Sequence, residues 1–270
     1  LDGGSQLEFT LVQCGSHEVE RKANWDSVHS DNLNTTNWAR WASVESIEHY
    51  CRRKWHYRDG IVAREYEVRR FGGLFGRMRH MRDIAAIRRA IRYANSLGTP
   101  IRFALDVPCG TGRVFQLLSQ EGIKFVGSDI SHAMLLEASR KPKPHIDGLI
   151  GLVMCDAERL PFKDEVFDAV ICIRFMFHVP REIQLRILSE MKRVSARWVI
   201  VEFRHRYTAR YLLHWLRHRL GLMSELKYRF SKQDLIELVH EAGLRVRSVF
   251  STRPYAPFLS DKWVVLLERV

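Results

Sequence analysis

The stretch Ala104-Leu105-Asp106-Val107-Pro108-Cys109-Gly110-Thr111-Gly112-Arg113 decides how this chain is read. An apolar run ends in an acid, a tight turn with two glycines follows, and a helical pattern starts near Arg113. That order is strand, ligand-hugging turn, helix N-terminus. Gly110 and Gly112 let the backbone approach a ligand with no Cβ in the way. A Walker loop needs Lys-Ser or Lys-Thr after the second glycine, and neither is present. A dinucleotide fingerprint needs a third small residue three positions on, for close helix–strand packing. Phe115 stands there, which disfavours a nicotinamide or flavin site. A carboxylate at the strand end repels phosphate and attracts ammonium, so Asp106 suits a ligand with a positive amino group.

Two further apolar runs end the same way. Ile123–Asp129 closes on Asp129, 23 positions after Asp106, where a second carboxylate can take both hydroxyls of a ribose. Leu149–Cys155 closes on Asp156, which reads either as a third ligand acid or as a turn cap. The first turn resembles motif I of the class I S-adenosylmethionine-dependent methyltransferases, although Pro108 stands where that family usually has glycine. Together with Asp156-Ala157-Glu158-Arg159-Leu160-Pro161-Phe162 and Phe177-His178-Val179, the chain resembles the methyltransferase type 11 branch that includes quinone-biosynthesis enzymes. The resemblance covers roughly residues 60–270. It implies S-adenosyl-L-methionine as cofactor, held by Asp106, Pro108, Gly110, Gly112 and Arg113 at the turn. Asp129 and Ile130 would meet the ribose, Asp156 and Ala157 the adenine, and Arg174 the cofactor's carboxylate or an acidic substrate.

The rest of the chain fits an α/β fold: a doubly wound, Rossmann-like, seven-stranded sheet, mostly parallel with an antiparallel C-terminal strand pair. Helices are expected over 79–97, 114–120, 131–140, 181–193 and from Ser231, which with Asp234 makes a capping box. In the first, Ile84, Ile87, Ile91 and Ala94 share a face; in the fourth, Ile183, Leu185, Ile187 and Met191 do. Arg69–Gly76 reads as a flexible apolar turn, and Pro142 and Pro144 as a helix stop. Phe167–Ile173, Trp198–Phe203, Leu244–Phe250 and Trp263–Arg269 are the remaining strands. The expected organisation is an irregular extension over 1–46, a helical basic cap over 47–100, and the cofactor-binding domain over 101–270. Tyr57 and Tyr66 are candidates for closing the site, or ordinary packing tyrosines.

Of 270 residues, 46% are hydrophobic and 27% charged, ordinary for a globular chain. The net charge of +12 is uneven: residues 50–92 hold thirteen basic and four acidic side chains, residues 1–49 three and eight. Residues 204–220 carry five arginines and three histidines with no acid, and Tyr207, Tyr211 and Trp215 recur every four positions. These basic segments read as solvated helix faces, a substrate cap, or contacts to an anionic partner, RNA or a membrane surface. Five cysteines without a Cys-x-x-Cys pair, no ~18-residue apolar run and no signal-peptide pattern favour a cytoplasmic setting, with no metal site.

The expected function is methyl transfer to a small molecule or a lipid- or glycan-linked intermediate. The alternatives are a tRNA or rRNA methyltransferase and a non-catalytic cofactor-binding protein. A base is needed only where the nucleophile must lose a proton. His178 is the first candidate, against a packing role; His205 and Glu202 follow.

Overall fold

A computed structural model describes Tyr50 and residues 73–222, 229–256 and 260–270. The expectations for the 1–46 extension and for Tyr57 and Tyr66 lie outside the described residues. One seven-stranded sheet organises the molecule, in the order β3-β2-β1-β4-β5-β7-β6. The strands are β1 (Phe103–Asp106), β2 (Lys124–Asp129), β3 (Leu149–Met154), β4 (Phe167–Cys172), β5 (Ser195–Arg204), β6 (Leu244–Ser251) and β7 (Lys262–Arg269). β1 pairs in parallel with both β2 and β4, so Asp106 sits at the centre of the sheet's C-terminal edge. Only β7 runs antiparallel, to β5 on one side and β6 on the other.

The helices are α1 (Leu74–Ser96), α2 (Phe115–Gln120), α3 (His132–Ser139), α4 (Lys143–Ile146), α5 (Arg181–Val194), α6 (Ala209–Arg219) and α7 (Lys232–Glu241). Most cover the two sheet faces, as alternation along β4 requires. Ala169 and Ile171 join the core under α1, α2 and α3, and Val170 and Cys172 the core under α5 and α7. Ala86, Ile87, Ala90, Ile91 and Ala94 of α1 belong to the first of these cores, which therefore runs across residue 100 without a break. The capping box at α7 is formed: Ser231 Oγ accepts from Asp234 N at 3.0 Å, and Asp234 Oδ2 accepts from Ser231 N at 2.8 Å.

Several boundaries differ from expectation. Helix α1 begins five residues early and runs through Gly76, because a glycine costs only about 1 kcal/mol in a helix packed downstream. Pro144 does not stop a helix but sits in the first turn of α4, where a missing N–H breaks no bond. In α5 the buried set includes Gln184, Leu188 and Val194, while Leu185 is only partly covered. The aromatic stripe of α6 does not pack inward as a set: Tyr207 and Trp215 stay exposed.

Phe115 shows how the glycine turn is built. It is fully buried, and its ring fills the space that two absent Cβ atoms leave. A Cβ at Gly112 would stand 2.6 Å from Phe115 Cδ2, and one at Gly127 on β2 would stand 2.6 Å from Phe115 Cζ. Gly127→Ala is therefore expected to lower unfolding free energy by about 1–3 kcal/mol in urea titrations. Phe115→Leu in the same background should recover part of that loss, with a coupling of at least about 0.5 kcal/mol. Strictly additive losses would show that the ring does not occupy that space.

Candidate active site

The strand C-termini open into a cleft of ≈ 160 Å³. Asp106, Pro108, Gly110 and Arg113 line it from the first turn, and Asp129 and Ile130 from the second. Asp156 and Ala157 close the adenine-side wall that the resemblance implies, and Arg174 and His178 come from the segment after β4. The three acids thus meet because three neighbouring parallel strands end at one edge. Gly112 is the exception. It adopts φ +72, donates its N–H to Cys109 O at 3.0 Å, and gives room to Phe115 instead of facing the cleft.

Asp129 holds the turns. Its Oδ2 accepts from Gly110 N at 2.9 Å and its Oδ1 from Ser131 N at 2.9 Å. Burial nonetheless pushes its pKa up to about 6, against the lowering effect of those backbone N–H groups. Asp106 is more deeply placed, with its pKa well above the ordinary value through burial and then the Asp129 charge. Its Oδ2 is buried with no hydrogen-bond partner among the described residues. Gly110 has φ +54, and a Cβ there would meet nothing within 4 Å, so the turn presents bare backbone to open space. Asp156 also does what a turn cap does: its Oδ1 accepts from Glu158 N at 3.1 Å. The Val107–Pro108 peptide is cis.

The segment after β4 is fixed from behind. Met176–His178 is a single 3-10 turn, and buried Gln184 of α5 donates to Met176 O at 2.8 Å and Val179 O at 2.9 Å. Arg174 sits at φ +65 with Nη1 3.9 Å from Asp83 Oδ2. The other two base candidates lie outside the cleft. Glu202 is fully buried beside Lys262 Nζ at 3.3 Å, and His205 is stacked on Trp263 with ring centroids 4.3 Å apart.

Sequence reading missed the roof. His80, Asp83, Ile84 and Ile87 of α1 line the cleft, as does Tyr50. Their spacing of 80, 83, 84 and 87 is one helical face and was legible as such. Burial, followed by the charge of Arg113, lowers the pKa of His80 to about 4, with Lys141 and Arg174 adding to it. His80 is therefore a neutral imidazole at neutral pH, facing a cationic corner of the cleft. Tyr50 donates its OH to Glu158 Oε1 at 2.9 Å and closes the side near Asp156. Asp83 is fixed by Lys262 Nζ at 2.6 Å. Cys109 and Cys155 line the cleft as buried thiols, and no metal-binding group of side chains occurs among the described residues.

Comparison with known proteins bears on this geometry. Residues 105–197, about a third of the chain, match a family model described as a methyltransferase domain. A demethylmenaquinone methyltransferase of Mycolicibacterium paratuberculosis is 32% identical over 143 residues, 53% of this chain and 56% of that protein. The chloroplastic magnesium protoporphyrin IX methyltransferase of Arabidopsis thaliana is 31% identical over 100 residues, 36% of this chain and 31% of that protein. The chain thus spans about half the length of the first of these relatives and less of the second. Among solved structures, magnesium protoporphyrin IX methyltransferase from Synechocystis PCC 6803 with bound SAH aligns with a TM-score of 0.62 at 20% identity. That alignment covers 80% of this chain and 99% of that one. Its SAM-bound form aligns with a TM-score of 0.58 at 18% identity, over 87% and 100% of the two chains. At these identities the likeness is one of fold, the Rossmann-like methyltransferase sheet.

The buried carboxylate makes a stability prediction. Unfolded, Asp106 titrates near the ordinary 3.8; folded, it titrates higher. Below about pH 4 both states carry the proton and nothing is lost. As pH rises, the folded protein must hold a proton or a dry charge, and its stability falls relative to a neutral amide. Asp106→Asn should match the wild type in urea melts at about pH 4 and exceed it by about 1–3 kcal/mol at about pH 8. A variant less stable at the higher pH would contradict the carboxylate's placement.

Proposed function

We propose that this chain is an S-adenosylmethionine-dependent methyltransferase acting on a small-molecule acceptor. Quinone- and porphyrin-type acceptors are the classes that its relatives' names suggest. One observation carries the reading: three strand-end carboxylates and one bare glycine turn share a single cleft. Asp106 supports a cationic ligand, since its buried Oδ2 is an acceptor with no donor among the described residues. An α-ammonium fits that need. Asp129 has one backbone bond on each oxygen and lone pairs remaining, which suits the two hydroxyls of a ribose. Asp156, beside Tyr50 and Ala157, is placed for an adenine amino group. Arg113 and Arg174 supply positive charge for a carboxylate near His80.

When bound, the cofactor supplies a sulfonium methyl for in-line displacement. The protein's part is positioning and exclusion of water. Ile84 and Ile87 press on the cleft from α1, and Tyr50 covers the side that Asp156 leaves open. For a hydroxyl acceptor, His178 is the proton-accepting group, with its turn pinned by Gln184. His80, with its pKa near 4, accepts a hydrogen bond but holds a proton poorly at neutral pH.

Calorimetric titration with S-adenosylmethionine tests the cofactor assignment. Asp129→Ala should weaken binding by about ten- to a hundredfold, the worth of hydrogen bonds to a charged group. Glu158→Ala, whose side chain serves Tyr50 and Arg186, should change it less than about threefold. Equal losses would mean the ribose acid is misassigned. Turnover with labelled cofactor, supplied with a quinol, a porphyrin or total RNA, separates acceptor classes. With a hydroxyl acceptor, His178→Ala should cost about 10²–10⁴ in kcat. Label entering RNA alone would overturn the small-molecule reading.

A further inference from the structure

Two segments carry large apolar side chains outward with no acid among them. The first turns of α1 expose Leu74, Phe75, Met78 and Met81, with Phe75 82% accessible, interleaved with Arg77, Arg79 and Arg82. Helix α6 and the turn after it expose Leu212, Leu213, Leu216 and Leu220 at 47–64%, followed by Arg217 and Arg219. No Asp or Glu occurs from residue 68 to 82 or from 203 to 224. The two segments border one cavity of ≈ 260 Å³, separate from the cleft. Phe75, Met78 and Arg79 line it from α1, Thr208 from the N-cap of α6, and Arg253 from the loop after β6. The next residues of that loop carry Tyr255, fully exposed. Two helices and a loop around one opening therefore share the same character: aliphatic or aromatic tips among guanidinium groups. Arg79, Arg82 and Arg253 make no side-chain ion pair among the described residues, so their charge is available to a partner.

We infer that this face docks on an anionic lipid bilayer, its apolar side chains entering the acyl boundary and its arginines meeting headgroup phosphates. The charge selects an anionic partner. The aliphatic content selects lipid over nucleic acid, because leucine and methionine gain nothing from a phosphate backbone and do not stack on bases as aromatic rings do. Apolar tips and guanidinium groups on one face let the aliphatic parts enter the acyl boundary while the charges stay at headgroup level, as at interfacial helices. No helix among the described residues is long and apolar enough to cross a membrane, so the contact is with one leaflet. The second cavity opens at this face and shares Asp83 with the cleft. Docking does not depend on the methyl-transfer reading. Its consequence, that a lipophilic acceptor reaches the cleft from the bilayer side, rests on that reading.

The test is co-sedimentation of the full chain with vesicles of phosphatidylcholine alone and with phosphatidylglycerol added, at about 0.1 M salt. Binding to the anionic vesicles should be at least about tenfold tighter, and it should weaken as salt rises. Leu212→Glu with Leu216→Glu should reduce it at least about tenfold, as should Leu74→Glu with Phe75→Glu on the other segment. Arg217→Glu with Arg219→Glu should abolish the preference for anionic lipid. These side chains are exposed, so melting temperature and S-adenosylmethionine affinity should stay at wild-type values. Absent pelleting, equal pelleting with both vesicle types, or undiminished pelleting of both apolar variants overturns the inference. So does retention on tRNA without retention on vesicles, or a dimer in light scattering that Leu212→Glu dissociates while vesicles are ignored. Vesicle binding without cofactor binding would sink the methyltransferase reading and leave docking standing; cofactor binding without vesicle binding does the reverse.

Discussion

Asp129 accepts one N–H from the glycine turn after β1 and one from the turn that opens α3, and the mouth of the sheet depends on those two bonds. They hold the bare backbone of Gly110 against β2 and aim Ser131 to cap α3, where its Oγ accepts from Met134 N at 3.3 Å. The same carboxylate raises the pKa of its neighbour Asp106. A fold that needed only stability would not place two acids in one dry cleft. Under the proposed function, a cationic ligand would complete the charge of this site. The strain sits where the ligand is expected and is offset by two apolar cores, one on each face of the sheet.

Phe115 was read in the sequence as an obstacle: too large for the third small position of a dinucleotide fingerprint. In the structure it is a core residue with a prepared place. The dinucleotide fold brings helix and strand together through a small residue on the helix. Here the small residues are Gly112 and Gly127, on the turn and the neighbouring strand, and the large one is on the helix. The close approach is kept with the sizes exchanged. Gly112 therefore serves packing while Gly110 lines the cleft, a division that the shared Gly-Thr-Gly spelling hides.

The strand-end acids were legible because each closes an apolar run of strand length, and local order alone places them at one edge. The antiparallel pair was legible because nothing helical separates its strands. What could not be read was decided across the chain. Glu202 lies inside β5 and His205 directly after it, and their partners Lys262 and Trp263, some sixty residues on, are outside the cleft. Gln184 is buried in the apolar face of α5 because the carbonyls of Met176 and Val179, outside that helix, accept its hydrogen bonds. The roof formed by His80, Asp83, Ile84 and Ile87 had a visible helical face, but nothing local says which cavity a face will meet. The segment Arg69–Gly76 has the composition of a flexible apolar turn, yet Gly76 lies inside the helix.

The roof and the sheet are joined by charge as well as by packing. Lys262 on β7 reaches Asp83 on α1 and Glu202 on β5, so one ammonium ties three elements together and faces two buried carboxylates. Burial raises the pKa of Glu202, and Lys262 opposes that rise more than any other group. Breaking such a cluster from one side is costly because the remaining charges cannot be rehydrated. Asp83 lines both the cleft and the second cavity, so this cluster is the partition between them, with Arg174 on the cleft side. The matched methyltransferase domain, residues 105–197, contains the three strand-end acids, but Tyr50, Asp83 and Lys262 all lie outside it. Under the proposed function, the part held in common would meet the methyl donor. The remaining wall of the cleft comes from Tyr50 and the first helix, where a shared fold leaves the choice of acceptor open.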